Sequence, residues 1–169
     1  VKLTSLIISL SDNNIWPALI LTGIACLLLG MEVPTTAAYV ICVSVAGPAL
    51  VDMGLELLQV HLFVFWFALL STITPPVCGT VFIASGMVSE NWLKVSLTSM
   101  SLGIGLYFIP LAMIANEAII QLETDFISSI MAFVKIALSL VMLSYAFIGK
   151  HLIIAKMISF GLGLFVMFI

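Results

Sequence analysis

Charged residues are scarce in this chain of 169 residues. They make up 8% of it, against 63% hydrophobic residues, and the mean hydropathy is +1.35. Soluble domains carry about a quarter charged residues and fewer than half apolar ones. A soluble fold of this size would lack the polar side chains that its water-facing surface needs. The composition therefore predicts an integral membrane protein.

Arginine is absent, and the five basic residues are all lysines. Without a basic patch, no nucleic acid partner is expected. Cys26, Cys42 and Cys78 are dispersed through apolar runs without the paired spacing of metal ligands, which favours small buried hydrophobes. The chain also lacks H-E-x-x-H and G-x-S-x-G motifs. We therefore expect neither catalytic residues nor a cofactor. A carrier is the main interpretation, and the alternatives are a non-transporting membrane scaffold and, less favoured, an intramembrane enzyme.

Short polar segments divide the chain into several apolar runs. This pattern predicts an all-α, polytopic transmembrane protein. Residues 1–14 form an amphipathic connecting segment without the features of a targeting peptide. Both chain ends lie close to apolar sequence, so we expect a piece of a longer polypeptide. The later apolar runs predict transmembrane helices at 95–116 and 126–148, and a truncated terminal helix at 152–169.

Residues 15–51 read as a helical hairpin. Its arms, Ile15–Met31 and Ala37–Val51, would each be about 22–26 Å long, short of the roughly 30 Å hydrocarbon core. Because a polar segment containing Pro34 separates these short arms, they favour a re-entrant hairpin. The alternative is two ordinary spans joined by a tight loop.

Residues 57–88 are too long for one straight span, since about 32 helical residues would measure some 48 Å. The tandem prolines Pro75 and Pro76 remove two backbone donors and disfavour helix before them. We therefore predict a discontinuous helix, from Leu57 to about Ser71 and again from Val77 to Val88. Carbonyls freed at such a break need protein, water or an ion as partner.

The remaining ionisable residues bear on orientation and function. Lysine-bearing loops are expected on the cytoplasmic side, and here they carry Lys94, Lys150 and Lys156, whereas the opposite loops are acidic. Lys135 lies inside a span, where an ionisable group is either functional or snorkels to the interface. His61, at the entrance of another span, is either a packing residue or functional.

Two hydroxyl-rich breaks within one apolar chain are the main candidate site. Secondary transporters coordinate Na⁺ with unwound carbonyls and threonine hydroxyls, and they aim half-helix N-termini at anionic groups. The alternative is a pair of proline kinks whose threonines bond to their own backbone. The candidate binding residues are Gly30, Glu32, Pro34, Thr35, Thr36, Ser71, Thr72, Thr74, Pro75 and Pro76, with Na⁺ expected at Thr35, Thr36, Thr72 and Thr74.

Three segments carry a family resemblance: residues 30–40 (GMEVPTTAAYV), 61–67 (HLFVFWF) and 70–77 (LSTITPPV). They resemble the large membrane subunit of TRAP transporters, and they are most similar to the fused permease that works with TAXI-type binding proteins. The resemblance extends over about residues 15–116. The last two predicted helices resemble the extra C-terminal helices of such permeases.

The resemblance implies the C-terminal half of an inverted-repeat, elevator-type carrier in the prokaryotic cytoplasmic (inner) membrane. It would import a small organic anion with Na⁺ as coupling ion. The implied partners are a periplasmic substrate-binding protein, membrane lipid and the rest of the permease chain. Pro34, Thr35 and Thr36 would belong to the second hairpin tip, facing the break at Thr72–Pro76. Glu32 departs from the family pattern, where a small residue is expected.

Overall fold

Helices make up the regular structure in the described part of the chain. The computed structural model describes residues 2–12, 14–31, 33–120, 125–148 and 153–168. The helices are α1 (Lys2–Leu10), α2 (Ile15–Leu29), α3 (Thr35–Asp52), α4 (Leu57–Leu70), α5 (Gly79–Val88), α6 (Trp92–Leu102), α7 (Ile104–Ala115), α8 (Phe126–Ile148) and α9 (Ile153–Phe168), with a 3₁₀ helix at Glu117–Ile119. The prediction of an all-α fold is confirmed.

Among the described helices, α3 and α8 are each long and apolar enough to cross a membrane. A third span results if α6 and α7 count as one, and α2, α4, α5 and α9 are apolar but shorter. On α8, Ile127, Val134 and Val141 recur every seven residues and are 71%, 58% and 66% exposed. Such an apolar stripe suits lipid rather than water. The membrane class is confirmed, and the number of crossings stays a prediction.

The chain divides into two units, and the first spans Val1–Leu97. Helix α3 is at its centre and packs against α1, α2 and α4. Glycine also lets α2 approach α4 closely, since a Cβ atom on Gly23 would lie 3.0 Å from ring atoms of Phe67. Leu19, Phe63 and Val64 fill the core between the helices. This packing fixes the helix ends that carry the predicted site.

The predicted hairpin at 15–51 corresponds to α2 and α3. Asn14 caps α2, since its Oδ1 accepts the Trp16 N–H at 3.2 Å. Helix α3 begins two residues earlier than predicted, so Thr35 and Thr36 lie in its first turn. Pro34 makes this start possible, because a residue without an N–H is tolerated where the helix leaves donors unpaired. Insertion of the hairpin as a re-entrant element stays a prediction.

The second unit spans Thr98–Ile169. Helices α8 and α9 run antiparallel, with Ser159 Oγ donating to the Met142 carbonyl at 2.9 Å, and α7 packs beside them. Ala112, Ile136, Leu143 and Met167 form the buried core.

Asp125 precedes α8 outside the membrane-spanning segment. Its carboxylate accepts the Ser128 hydroxyl at 2.6 Å and the Ser128 N–H at 3.2 Å. These hydrogen bonds stabilise the charged form and lower the pKa of Asp125. The N-terminus of α8 thus has a charged acceptor for its unpaired donors.

The helix predicted over 95–116 is interrupted. Helix α6 ends at Leu102 and α7 begins at Ile104, with the Leu106 N–H donating to the Gly103 carbonyl at 2.9 Å in a tighter, three-residue turn. Glycine has the lowest helix propensity after proline, which places the break at Gly103. Pro110 lies inside α7 and does not end it.

Candidate functional site

The break after α4 is held together by hydroxyl groups. Ser71 Oγ donates to the Ala68 carbonyl at 2.7 Å, Thr72 Oγ1 to Leu69 at 2.8 Å and Thr74 Oγ1 to Leu70 at 2.7 Å. These carbonyls belong to the last turn of α4, where helical N–H partners run out. The back-bonding that was the alternative interpretation of the threonines is therefore present. Each hydroxyl oxygen still keeps lone pairs that can accept.

Carbonyls inside the break find hydroxyl donors from the following helices. Thr80 Oγ1, in the first turn of α5, donates to the Thr72 carbonyl at 2.6 Å. Ser96 Oγ, on α6, donates to the Ile73 carbonyl at 3.3 Å. The Pro75–Pro76 peptide bond is cis. The break is thus an ordered segment, with side chains replacing the missing helical donors.

The turn between α2 and α3 touches this break directly. Ser71 Oγ also donates to the Gly30 carbonyl at 3.1 Å, across 41 positions of sequence. A Cβ atom on Gly30 would lie 2.8 Å from Ser71 Cβ. Only glycine allows the two segments to approach this closely. Two elements that the sequence predicted separately therefore meet in space.

A cavity of about 240 Å³ lies where the two breaks meet. On one side it is lined by the residues that precede α3, and on the other by the residues that open α5. Neither helix has a side-chain hydrogen bond at its N-cap, which is Pro34 for α3 and Cys78 for α5. The lining residues are Gly30, Val33, Pro34, Ser71, Thr72, Val77, Gly79 and Thr80.

Among the described residues, dipoles rather than charged side chains set the electrostatics of this cavity. The described lining residues include no ionisable side chain, and Glu32, next to Val33, lies outside the described part of the chain. Two helix N-termini border it, and each carries the equivalent of about half a positive charge. The hydroxyls of Ser71, Thr72 and Thr80 add neutral oxygen atoms. The arrangement can therefore accommodate an anionic group at the helix ends and a hard cation at the oxygens.

Four of the candidates named from the sequence line this cavity: Gly30, Pro34, Ser71 and Thr72. Thr35 and Thr36 lie in the first turn of α3 and are not part of the lining. Thr74, Pro75 and Pro76 lie in the break and are not part of the lining either. Glu32 is outside the described residues, as are Glu123, Lys150 and His151. No observation tests the binding roles assigned to these residues, and those roles stay predictions.

Gly79 and Thr80 line the cavity although the sequence reading did not select them. A signal was available, because a helix that resumes after tandem prolines must expose unpaired N–H groups in its first turn. Gly79 and Thr80 are at that position. Ser96 carried no comparable signal, since its contact with Ile73 depends on how α6 returns to the break.

Two other polar contacts involve residues that the sequence singled out. Tyr39 Oη and His61 Nδ1 lie 2.6 Å apart between α3 and α4. In the second unit, Lys135 Nζ donates to Asn116 Oδ1 at 2.9 Å. Asn116 Nδ2 in turn donates to the carbonyls of Ala112 at 3.1 Å and Met167 at 2.9 Å. Lys135 thus has a polar partner within its own unit.

Paired helix breaks in an apolar, all-helical chain are typical of membrane transport proteins. Residues 1–127 match the family model of the tripartite ATP-independent periplasmic transporter, DctM component. The chain belongs to this family, the large membrane component of TRAP transporters. The match includes both breaks and ends at the start of α8. Comparison with curated proteins and with solved structures gave no significant match.

Family membership confirms the resemblance at the level of the TRAP large subunit. It also decides between the classes of function, because this family is a transporter component and not an enzyme. The TAXI type, the substrate and the coupling ion are finer assignments that the match does not make.

Proposed function

We propose that this chain forms part of a Na⁺-coupled importer of a small organic anion, a TRAP permease of the TAXI type in the prokaryotic cytoplasmic membrane. A periplasmic substrate-binding protein would deliver the anion. The observation that carries the proposal is the cavity shared by the turn at Gly30–Pro34 and the break at Ser71–Cys78. The proposal goes beyond family membership in naming the ion, the class of solute and the delivery route.

An anionic solute fits the helix ends. Helices α3 and α5 both begin at the cavity, and the side chains of their N-cap residues, Pro34 and Cys78, make no hydrogen bond to the first N–H groups. Backbone donors and the helix dipole together favour negative charge at such a position. Arginine, the usual bidentate partner of a carboxylate, does not occur in the sequence. Backbone donors would therefore bind the carboxylate of the solute.

A sodium ion fits the oxygen atoms of the break. Ser71, Thr72 and Thr80 each donate their proton to a carbonyl, which leaves lone pairs of the hydroxyl oxygen for a cation. Hard cations prefer such oxygen ligands. Thr35, Thr36 and Thr74 remain proposed ligands, although each would need to turn towards the cavity when the ion binds.

The described chain supplies one pair of breaks, and the proposed carrier needs a second, symmetry-related pair. Inverted-repeat transporters bind the solute between symmetry-related halves. The rest of the permease chain would provide the other half of the site. The binding protein would supply the solute from the periplasmic side.

Uptake into proteoliposomes tests the proposal. The full transporter and its binding protein are reconstituted, a Na⁺ gradient is imposed, and uptake of labelled dicarboxylates and amino acids is measured. Thr72→Val and Thr80→Val remove a hydroxyl while keeping the side-chain shape. We expect each to lower Na⁺-driven uptake about tenfold or more, the effect of losing roughly 1.4 kcal/mol of binding.

Ser44→Ala is the matched control. Ser44 is exposed on α3 and back-bonds to Ile41 at 2.8 Å, away from the breaks, so its loss should leave uptake unchanged. Unchanged uptake in the Thr72 and Thr80 variants would reduce the breaks to structural kinks without a part in ion binding. Uptake of every solute without a Na⁺ requirement would contradict the proposed coupling ion.

A further inference from the structure

A second cavity, of about 330 Å³, lies between α3 and α4 near the other end of α3. Its lining is aliphatic apart from Asp52 and His61, and Val43, Val51 and Leu57 are among its walls. We call it the α3–α4 groove. It contains none of the residues that line the cavity at the two breaks, so the proposed transport site does not account for it.

Glycine keeps the α3–α4 groove open. A Cβ atom on Gly47 would lie 3.6 Å from Val43 Cγ1 and 3.7 Å from Val60 Cγ1. Both are ordinary van der Waals distances, so the Cβ atom of a larger side chain can be added here without displacing the helices. That side chain would occupy space that the groove now leaves to another apolar group.

The end of the α3–α4 groove is negatively charged. Asp52 is exposed and is the last residue of α3. The helix dipole is already negative at this end, and the last turn of α3 carries no basic residue. Glu56, four residues on, is exposed as well. Lys94, in the same unit, is bound to Glu90 at 3.0 Å. His61 has Tyr39 as its partner at 2.6 Å.

We infer that the α3–α4 groove binds a phospholipid with a primary ammonium headgroup. The acyl chain would lie along Val43, Gly47 and Val51, and the ammonium would bind the Asp52 carboxylate at the polar end. A negative helix terminus that ends in a carboxylate favours a cation. A primary ammonium has three N–H donors for that carboxylate, whereas the quaternary ammonium of a choline headgroup has none. The groove therefore distinguishes the two headgroups.

Native mass spectrometry of the full chain in detergent tests this inference. The protein is titrated with phosphatidylethanolamine or with phosphatidylcholine of identical acyl chains. We expect about fivefold tighter binding of phosphatidylethanolamine, the effect of roughly 1 kcal/mol from hydrogen bonds that the quaternary ammonium cannot make. Asp52→Asn keeps the side-chain shape and should abolish the preference. Gly47→Leu fills the groove and should lower the binding of both lipids.

Two variants serve as controls. Asp12→Asn removes another exposed carboxylate of the same unit, at a residue with φ of 48°, which asparagine tolerates. Gly86→Leu makes the same substitution on α5, where an added Cβ meets nothing within 4 Å. Both should bind the two lipids as the native chain does.

Equal affinity of the native chain for the two lipids would overturn the inference. So would a preference that survives Asp52→Asn, or lipid binding that survives Gly47→Leu. An absence of lipid binding in the native chain would also overturn it, since another protein segment would then cover the groove.

Discussion

At the residue scale, hydrogen-bond partners decide what the polar side chains of this apolar chain can do. The sequence identified the hydroxyl-rich breaks but not the partners within them. Ser71 bonds both to its own helix and to Gly30, a contact that no local pattern specifies. Lys135 looked like a functional candidate because it lies inside a span. The structure gives it Asn116 as a partner, which supports a role in assembling the second unit.

The Lys135–Asn116 contact leads to a prediction about stability. Asn116→Leu leaves the ammonium of Lys135 and the Met167 carbonyl without the side-chain partner described, whereas the Ala112 carbonyl keeps its bond from the backbone N–H of residue 116. We therefore expect a loss of about 2 kcal/mol. Lys135→Met removes the charge together with its need for a partner and should cost about 1 kcal/mol or less. Unfolding of the full chain by SDS in mixed micelles measures both losses.

The double variant separates this account from simple packing. Combined with Asn116→Leu, Lys135→Met should recover part of the lost stability, because no unpaired ammonium remains. Strictly additive losses, or a Lys135→Met variant less stable than Asn116→Leu, would show that Asn116 is not the main partner of Lys135.

At the scale of helices, the sequence predicted elements better than the contacts between them. Tandem prolines predict an interruption within 57–88. In the structure, α4 ends at Leu70 and the next helix, α5, begins at Gly79. Helix α3 begins two residues before the predicted start at Ala37, because Pro34 occupies the N-cap position and Thr35 is the first helical residue. The break at Gly103 was not predicted, since a single glycine inside an apolar run is a weak signal for the end of a helix. The approach of Gly30 to Ser71 depends on the packing of α2 against α4, which is not encoded in local sequence.

This approach predicts a specific mutational coupling. Gly30→Ala places a Cβ atom 2.8 Å from Ser71 Cβ, and we expect the overpacking to cost about 1–3 kcal/mol. Adding Ser71→Gly removes the clashing atom and should restore part of the stability. Thermal unfolding of the full chain measures both effects.

Gly86→Ala is the matched control for this pair. An added Cβ on Gly86 meets nothing within 4 Å, so this change should be neutral or slightly stabilising. If Gly30→Ala were as stable as the native chain, the two breaks would not be in the contact described. If Ser71→Gly added its full cost to that of Gly30→Ala, the coupling would be refuted.

At the scale of the whole molecule, composition and motif order predicted the class, and the family match over residues 1–127 confirmed it. The low fraction of charge required a membrane, and the two proline-containing segments pointed to a transporter. The shape of the site could not be predicted, since it arises where helices distant in sequence begin beside one another. Helices α8 and α9 lie almost wholly beyond the matched residues, and sequence reasoning assigned them no part in binding.

The central claim is that the cavity at the two breaks binds the coupling ion, and protection of a cysteine at its edge tests this most directly. Gly79→Cys places a thiol on the lining where an added Cβ meets nothing within 4 Å, and Gly86→Cys places one on the same helix outside the lining. The three native cysteines are fully buried, so background labelling should be low.

Maleimide labelling of both variants is timed in the full transporter, with either Na⁺ or choline as the cation. We predict that Na⁺ slows labelling of Gly79→Cys and leaves Gly86→Cys unchanged, because the bound ion orders the break and restricts access to the cavity. Equal labelling rates of Gly79→Cys in the two cations would contradict an ion site at these breaks.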